Sequence, residues 1–83
     1  MLYMIELQYS PEHRDAALRY FWEHGSTHYV GEMTVKGAWV ATREFVAYAL
    51  VNAADAGEVA QACAPLEQFG KVDYRHVTSV DQL

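Results

Sequence analysis

Seven consecutive apolar residues, from Phe45 to Val51, are the feature of this sequence that most restricts its fold. A run of this length, bounded by turn residues, is typical of a β-strand that is buried on both faces. The chain has 83 residues, which allows one domain with one small core. A strand in the middle of so small a domain therefore needs cover on both sides.

The residues before this run predict a strand and then a helix. Residues 2–9 alternate in polarity, and one side of this first strand carries Tyr3, Ile5, Leu7 and Tyr9. Ser10 and Pro11 have the residue types preferred at the cap and the first position of a helix. The apolar face of this helix is predicted to carry Arg14, Ala17, Leu18, Phe21 and Trp22. Gly25 is suited to the position after the helix end.

The remaining residues predict three strands and a second helix. Residues 32–41 and 45–52 predict a second and a third strand, joined by a hairpin turn at 42–44. Residues 71–78 predict a fourth strand, and 79–83 a loosely ordered tail.

The second helix is predicted between the third and fourth strands. Asp55 and Glu58 have the spacing of a capping box, which opens a helix, and Pro65 ends it near Ala64. Its apolar stripe is predicted to be Ala56, Val59, Ala60 and Cys63.

This order of elements predicts an α+β domain of the ferredoxin-like type, βαββαβ, over residues 1–83. In that fold a four-stranded antiparallel sheet carries both helices on one face, with the first and third strands in the centre. The other face would leave Met4, Trp39 and Leu50 uncovered. A second copy packed sheet against sheet would cover them, so we predict a homodimer that forms an α+β barrel.

Composition and charge exclude several classes of function. The net charge is −5 and the six Lys and Arg residues are scattered, which argues against a nucleic-acid partner. No apolar run approaches about 18 residues, so we expect no membrane span. The lone Cys63 indicates a reducing compartment and favours the cytoplasm. We predict no cofactor.

Glu6 is the first candidate for chemistry, because an acid in a central strand would lie beneath the partner sheet. Burial there favours the protonated form of a carboxyl group, and general bases that act near neutral pH arise in this way. His76 on the neighbouring fourth strand and Tyr48 on the third could complete an acid-base set. The alternative for Glu6 is an ion pair with Arg75 or Lys36.

The orientation of the fourth strand decides whether this set exists. If that strand faces the other way, Asp73 and Arg75 lie beside Glu6 in place of His76. An apolar binding site would be lined by Met4, Trp22, Trp39, Leu50 and Tyr74, although Tyr and Trp are also ordinary core residues.

His24 and His28 are candidates for metal ligands, since imidazoles bind transition metals. The spacing matches no motif of known mechanism, and if the helix stops at His24 the two rings do not share a helical face. The alternative is a histidine at a helix C-terminus followed by a loop histidine. Cys63 on a buried stripe is expected to be an inert apolar residue.

Several stretches resemble the DUF3303 family of small bacterial proteins of unknown function. They are MLYMIE, SPEHRDAALRYF, VKGAWV, FVAYALVNAADAGEVA and VTSVD. The chain departs from the family pattern at Val40, where a His is typical, at Asn52, where an acid is common, and in the hairpin 42–44, where glycines are common. It also lacks the Trp that the family has near Ala64 or Pro65.

The resemblance implies a dimeric ferredoxin-like barrel and carries no activity over. Related dimeric barrels include cofactor-free monooxygenases, lactone isomerases and polyketide cyclases, which is an analogy of fold.

Three hypotheses of function follow. The first is a cytoplasmic homodimer that binds a small aromatic or polyketide-like molecule between the helices and the sheet or under the dimer, where Glu6, His76 and Tyr48 could transfer protons. The second is a non-catalytic accessory protein that uses its sheet face only for assembly. The third is metal binding through His24 and His28.

Overall fold

The computed structural model of the protein describes residues 1–24, 29–30 and 33–83. The strands are β1 (Leu2–Tyr9), β2 (Tyr29–Val30), β3 (Met33–Ala41), β4 (Val46–Asn52) and β5 (Gly70–Val77). The helices are α1 (Arg14–His24) and α2 (Ala56–Cys63), with short 3-10 turns at Pro11–His13, Ala64–Gln68 and Val80–Gln82.

All strand pairs that the structure describes are antiparallel, in the order β2-β3-β4-β1-β5. The four long strands have the ferredoxin-like order, with β1 and β4 in the centre, so the predicted βαββαβ fold is confirmed. The two-residue strand β2 was not predicted, because two residues are too few to show an alternating pattern. It pairs with Met33 and Thr34 at the outer edge of β3.

The core lies between the helices and one face of the sheet. The two central strands contribute alternate residues to it: Tyr3, Ile5, Leu7 and Tyr9 from β1, and Ala47, Ala49 and Val51 from β4. The helices and the turn after α2 supply Ala17, Val59, Cys63, Leu66 and Phe69. The predicted inward side of the first strand is therefore confirmed. The alanines of β4 leave room for the helices to approach the sheet closely.

The start of the first helix differs from the prediction in its cap. The chain turns at Pro11 as expected, but the first turn is 3-10 and the Ser10 side chain does not cap it. Ser10 Oγ instead lies 2.6 Å from His13 Nδ1. The predicted apolar face was too wide, because Arg14 and Trp22 are exposed and only its central residues turn inward. Trp22 is 84% exposed.

The second helix is capped as predicted. Asp55 Oδ1 accepts a hydrogen bond from the Glu58 backbone N–H at 2.9 Å. The reciprocal half of the capping box is not seen, since Glu58 Oε1 is buried without a hydrogen-bond partner among the described residues. The predicted stripe was half wrong, because Val59 and Cys63 are buried whereas Ala56 and Ala60 are exposed.

Two backbone features lie at the ends of the central strands: the left-handed conformation of Phe45 and the close approach of Gly70 to β1. Phe45 has a left-handed φ of 55°, so β4 begins at Val46, one residue later than predicted. The Phe45 ring meets the Tyr9 ring edge-on at 5.9 Å, and its carbonyl accepts from the Tyr9 N–H at 3.1 Å. Gly70 lies so close to β1 that a Cβ there would stand 2.0 Å from the Gln8 carbonyl oxygen.

The chain ends in the 3-10 turn Val80–Gln82, where Val80 and Leu83 are exposed. In the described part of the chain, no helix has the length and apolar character needed to cross a bilayer.

Candidate functional site

Two surfaces hold several of the residues that were predicted to function. The first, called the open face, is the side of the sheet that turns away from α1 and α2. The second, called the groove, lies between α1 and the edge strand β3, and its walls are Leu18, Phe21, Trp22, Gly37, Ala38, Trp39 and Val40.

Four side chains form a row across the centre of the open face. The strand register aligns Trp39 with Tyr48, Tyr48 with Glu6, and Glu6 with Asp73. Directly paired residues in an antiparallel sheet point to the same face. The structure therefore brings Glu6 and Tyr48 together, as the sequence predicted. The next row, Gly37, Leu50, Met4 and Arg75, places two of the predicted ligand-binding residues beside them.

His76 does not join this set. It pairs with Tyr3, at a ring distance of 5.4 Å, and Tyr74 pairs with the buried Ile5, so both point toward the helix side. The grouping of His76 with Glu6 and Tyr48, and of Tyr74 with the open-face residues, was therefore wrong. The alternative orientation of this strand is the correct one.

The physical reason lies in the other side of β5, which carries Lys71, Asp73 and Arg75. A strand with charged residues at every second position buries the opposite set, and here Val72 and Tyr74 pack against the core. This signal was present in the sequence.

The predicted ion pair of Glu6 is also not formed. The Arg75 guanidinium instead donates to Asp73 Oδ2 at 3.1 Å, and Asp73 Oδ1 accepts from the Tyr74 N–H at 2.9 Å. Lys36 lies exposed at a bulge in β3. Among the described residues no ion pair reaches Glu6, which faces the like charge of Asp73 across the strands.

The groove has a volume of about 430 Å³, within the range of small-molecule sites. Its described walls are apolar side chains and backbone, and none of the lining residues in the described part of the chain is ionisable. Both tryptophans of the chain line it: Trp22 is 84% and Trp39 is 54% exposed. Sequence reasoning placed Leu18 and Phe21 in the core only, because a helical stripe does not show where a helix leaves the edge of a sheet uncovered.

The remaining candidates do not form a site among the described residues. His28 lies outside the described residues, as does the side chain of His24, so the metal prediction stays a prediction. In the described ranges, no three His, Cys, Asp or Glu side chains are grouped so that they could hold a metal ion.

Cys63 is buried, and burial together with the negative charge of Glu67 raises the pKa of its thiol to about 11. Burial and the neighbouring Cys63 also raise the pKa of Tyr20. A thiol that holds its proton so tightly is a poor nucleophile, in agreement with a structural role.

Fold and surfaces together define a small α+β domain with a ferredoxin-like sheet, an open sheet face and an apolar groove at the sheet edge. The chain matches the family "Domain of unknown function (DUF3303)" over residues 1–83, and it belongs to that family. No curated protein and no solved structure matches it.

Proposed function

We propose that this protein binds a small, flat, apolar molecule in the groove and works as a homodimer joined through its open faces. The observation that carries the proposal is the pair of exposed tryptophans among the residues that line one apolar groove. Removing each 100 Å² of apolar surface from water contributes about 2.5 kcal/mol of favourable free energy. A ligand that covers the exposed tryptophans therefore gains binding free energy from this burial. Aromatic ligands gain further from offset or edge-on ring contacts.

The chemistry of the walls favours binding over catalysis. Acid-base catalysis needs a titratable group within hydrogen-bond reach of the substrate, and the groove residues that the structure describes include none. Glu6 and Tyr48 lie on the open face, where any reaction would require the chamber that a second copy encloses. We therefore place ligand binding first and proton transfer by Glu6 and Tyr48 second.

The charges of the open face support self-association. In its paired rows Glu6 and Asp73 contribute two negative charges and Lys71 and Arg75 two positive charges, so this face is formally neutral. The whole chain carries −5, and its other surfaces would therefore repel a second copy. Half-buried Met4, Tyr48 and Leu50 occupy the centre of the face and gain from cover. The free thiol of Cys63 fits the reducing cytoplasm.

The experiment uses the fact that the chain has only two indole N–H groups. In ¹⁵N-labelled protein these give two separate NMR signals, which Trp22→Phe and Trp39→Phe assign. We expect 1-naphthol to shift both signals with a single dissociation constant. Decahydro-1-naphthol, which has a similar outline without a flat ring face, should bind more weakly.

The matched control is Phe45→Leu, which changes an exposed aromatic outside the groove and should leave naphthol affinity unchanged. Naphthol that leaves both indole signals unmoved up to its solubility limit would refute the groove as a binding site.

A further inference from the structure

We infer that Trp39 couples the groove to the open face, so that a ligand in the groove and a second copy on the open face strengthen each other's binding. The inference deepens the proposed function and depends on it. It assigns a regulatory role to a residue that belongs to both surfaces.

The strand register places Trp39 on the open face. It is aligned with Tyr48, and through Tyr48 with Glu6, in the central row that a second copy would cover. Trp39 is 54% exposed, whereas the adjacent residues Ala38 and Val40 belong to the helix side, aligned with the buried Ala49 and Ala47. A partner on this face therefore buries part of the indole.

The same residue lines the groove, together with Gly37. The indole lies against Gly37 so closely that a Cβ there would stand 2.7 Å from Trp39 Cη2 and 3.0 Å from Cζ2. Such a distance is below any normal carbon contact, so the observed ring position exists only because residue 37 has no side chain. Trp39 thus belongs to both surfaces, and its ring position depends on Gly37, which also lines the groove.

Shared ordering of this ring gives the sign of the coupling. Each binding event must hold the half-exposed ring in one position, and immobilising such a side chain weakens binding about two- to tenfold. The event that occurs second does not incur this loss again, so the coupling is positive. Linkage requires the factor to be equal in both directions.

The test measures that factor twice on the full chain. Sedimentation velocity gives the dimer dissociation constant without and with saturating 1-naphthol. NMR titration gives the naphthol affinity at protein concentrations below and above that dissociation constant. We expect both quantities to change by the same factor, two- to tenfold. If the protein dimerises and binds naphthol but neither event changes the affinity of the other, the coupling is overturned and the proposed function stands. Absence of either binding event overturns the proposed function and the coupling with it.

Gly37→Ala is the decisive variant. Gly37 does not have a left-handed φ, so alanine fits the backbone and disturbs only the indole. We expect it to remove the coupling and to weaken both binding events. In a Trp39→Val background the same substitution should have no further effect on either. Trp22→Phe is the control, since it should weaken naphthol binding and leave the dimer constant of the free protein unchanged.

Discussion

At the scale of single residues, two glycines offer a direct test of the packing. A Cβ at Gly70 would meet backbone atoms, 2.0 Å from Gln8 O and 2.8 Å from Tyr9 Cα, which cannot move without displacing β1. We expect Gly70→Ala to lower the free energy of unfolding by about 1–3 kcal/mol or more, measured by urea denaturation.

Gly57→Ala is its matched control. In α2 the nearest atom to the added methyl is the side-chain Oδ1 of Asp55 at 3.3 Å, and alanine favours a helix. The exposed Asp55 carboxyl group has to shift by a few tenths of an ångström to admit the methyl group, and with that shift the stability of the variant should be unchanged or up to about 1 kcal/mol higher. Equal losses in the two variants would contradict the tight β1–β5 contact.

Cys63 makes a prediction about pH. The folded chain holds the thiol proton more tightly than the unfolded chain, because burial raises the pKa from 9.0 to about 11. The unfolded state therefore loses protons first, and stability falls as pH rises from 9 toward 11, by at most roughly 1.4 kcal/mol per pH unit.

Urea denaturation across this pH range measures the slope of the unfolding free energy against pH, and Cys63→Ala should make that slope less steep. Some slope should remain, since the pKa of Tyr20 is raised as well. A slope identical in the variant would show that the thiol is not responsible.

At the scale of elements, α2 depends on its cap. Asp55→Ala removes the acceptor of the Glu58 N–H bond and should cost about 1 kcal/mol of unfolding free energy. Asp55→Asn keeps an acceptor oxygen and should retain most of the free energy that the cap contributes. Urea denaturation of the three proteins provides the measurement. A loss in the asparagine variant as large as in the alanine variant would contradict a capping role.

The elements show why so much of the fold could be predicted from the sequence. The alternation in β1, the apolar run in β4 and the signals at Pro11 and Asp55 are local, and the structure has an element at each of them. The orientation of β5 was also encoded locally, in the alternation of Lys71, Asp73 and Arg75, although both orientations stayed open at the level of the sequence.

The groove could not be predicted in the same way. It exists because α1 passes the sheet edge at β3 without covering it fully, which depends on the placement of whole elements. The exposure of Trp22 has the same origin, since helical spacing put it beside Phe21 without showing how far the sheet extends.

At the scale of the whole molecule, the open face predicts the oligomeric state. Leu50 lies in the centre of this face, aligned with Met4 and Gly37. Leu50→Lys would bury an unpaired charge between two sheets, so we expect sedimentation to show loss of the dimer with the fold retained by circular dichroism. Gln61→Lys on the exposed side of α2 is the control and should remain dimeric. Wild-type protein that sediments as a folded monomer at micromolar concentration would refute the homodimer.

The bulge in β3 has a consequence for how molecules of this protein meet in a crowded solution. Between Val35 and Gly37 the ladder slips by one residue, and the exposed Lys36 interrupts β3, the outermost of the four long strands on this side. On the opposite border, β5 alternates charges of both signs. Neither border is a flat apolar ribbon onto which a neighbour could add, so stacking of sheets into endless fibres is disfavoured while face-to-face pairing stays open.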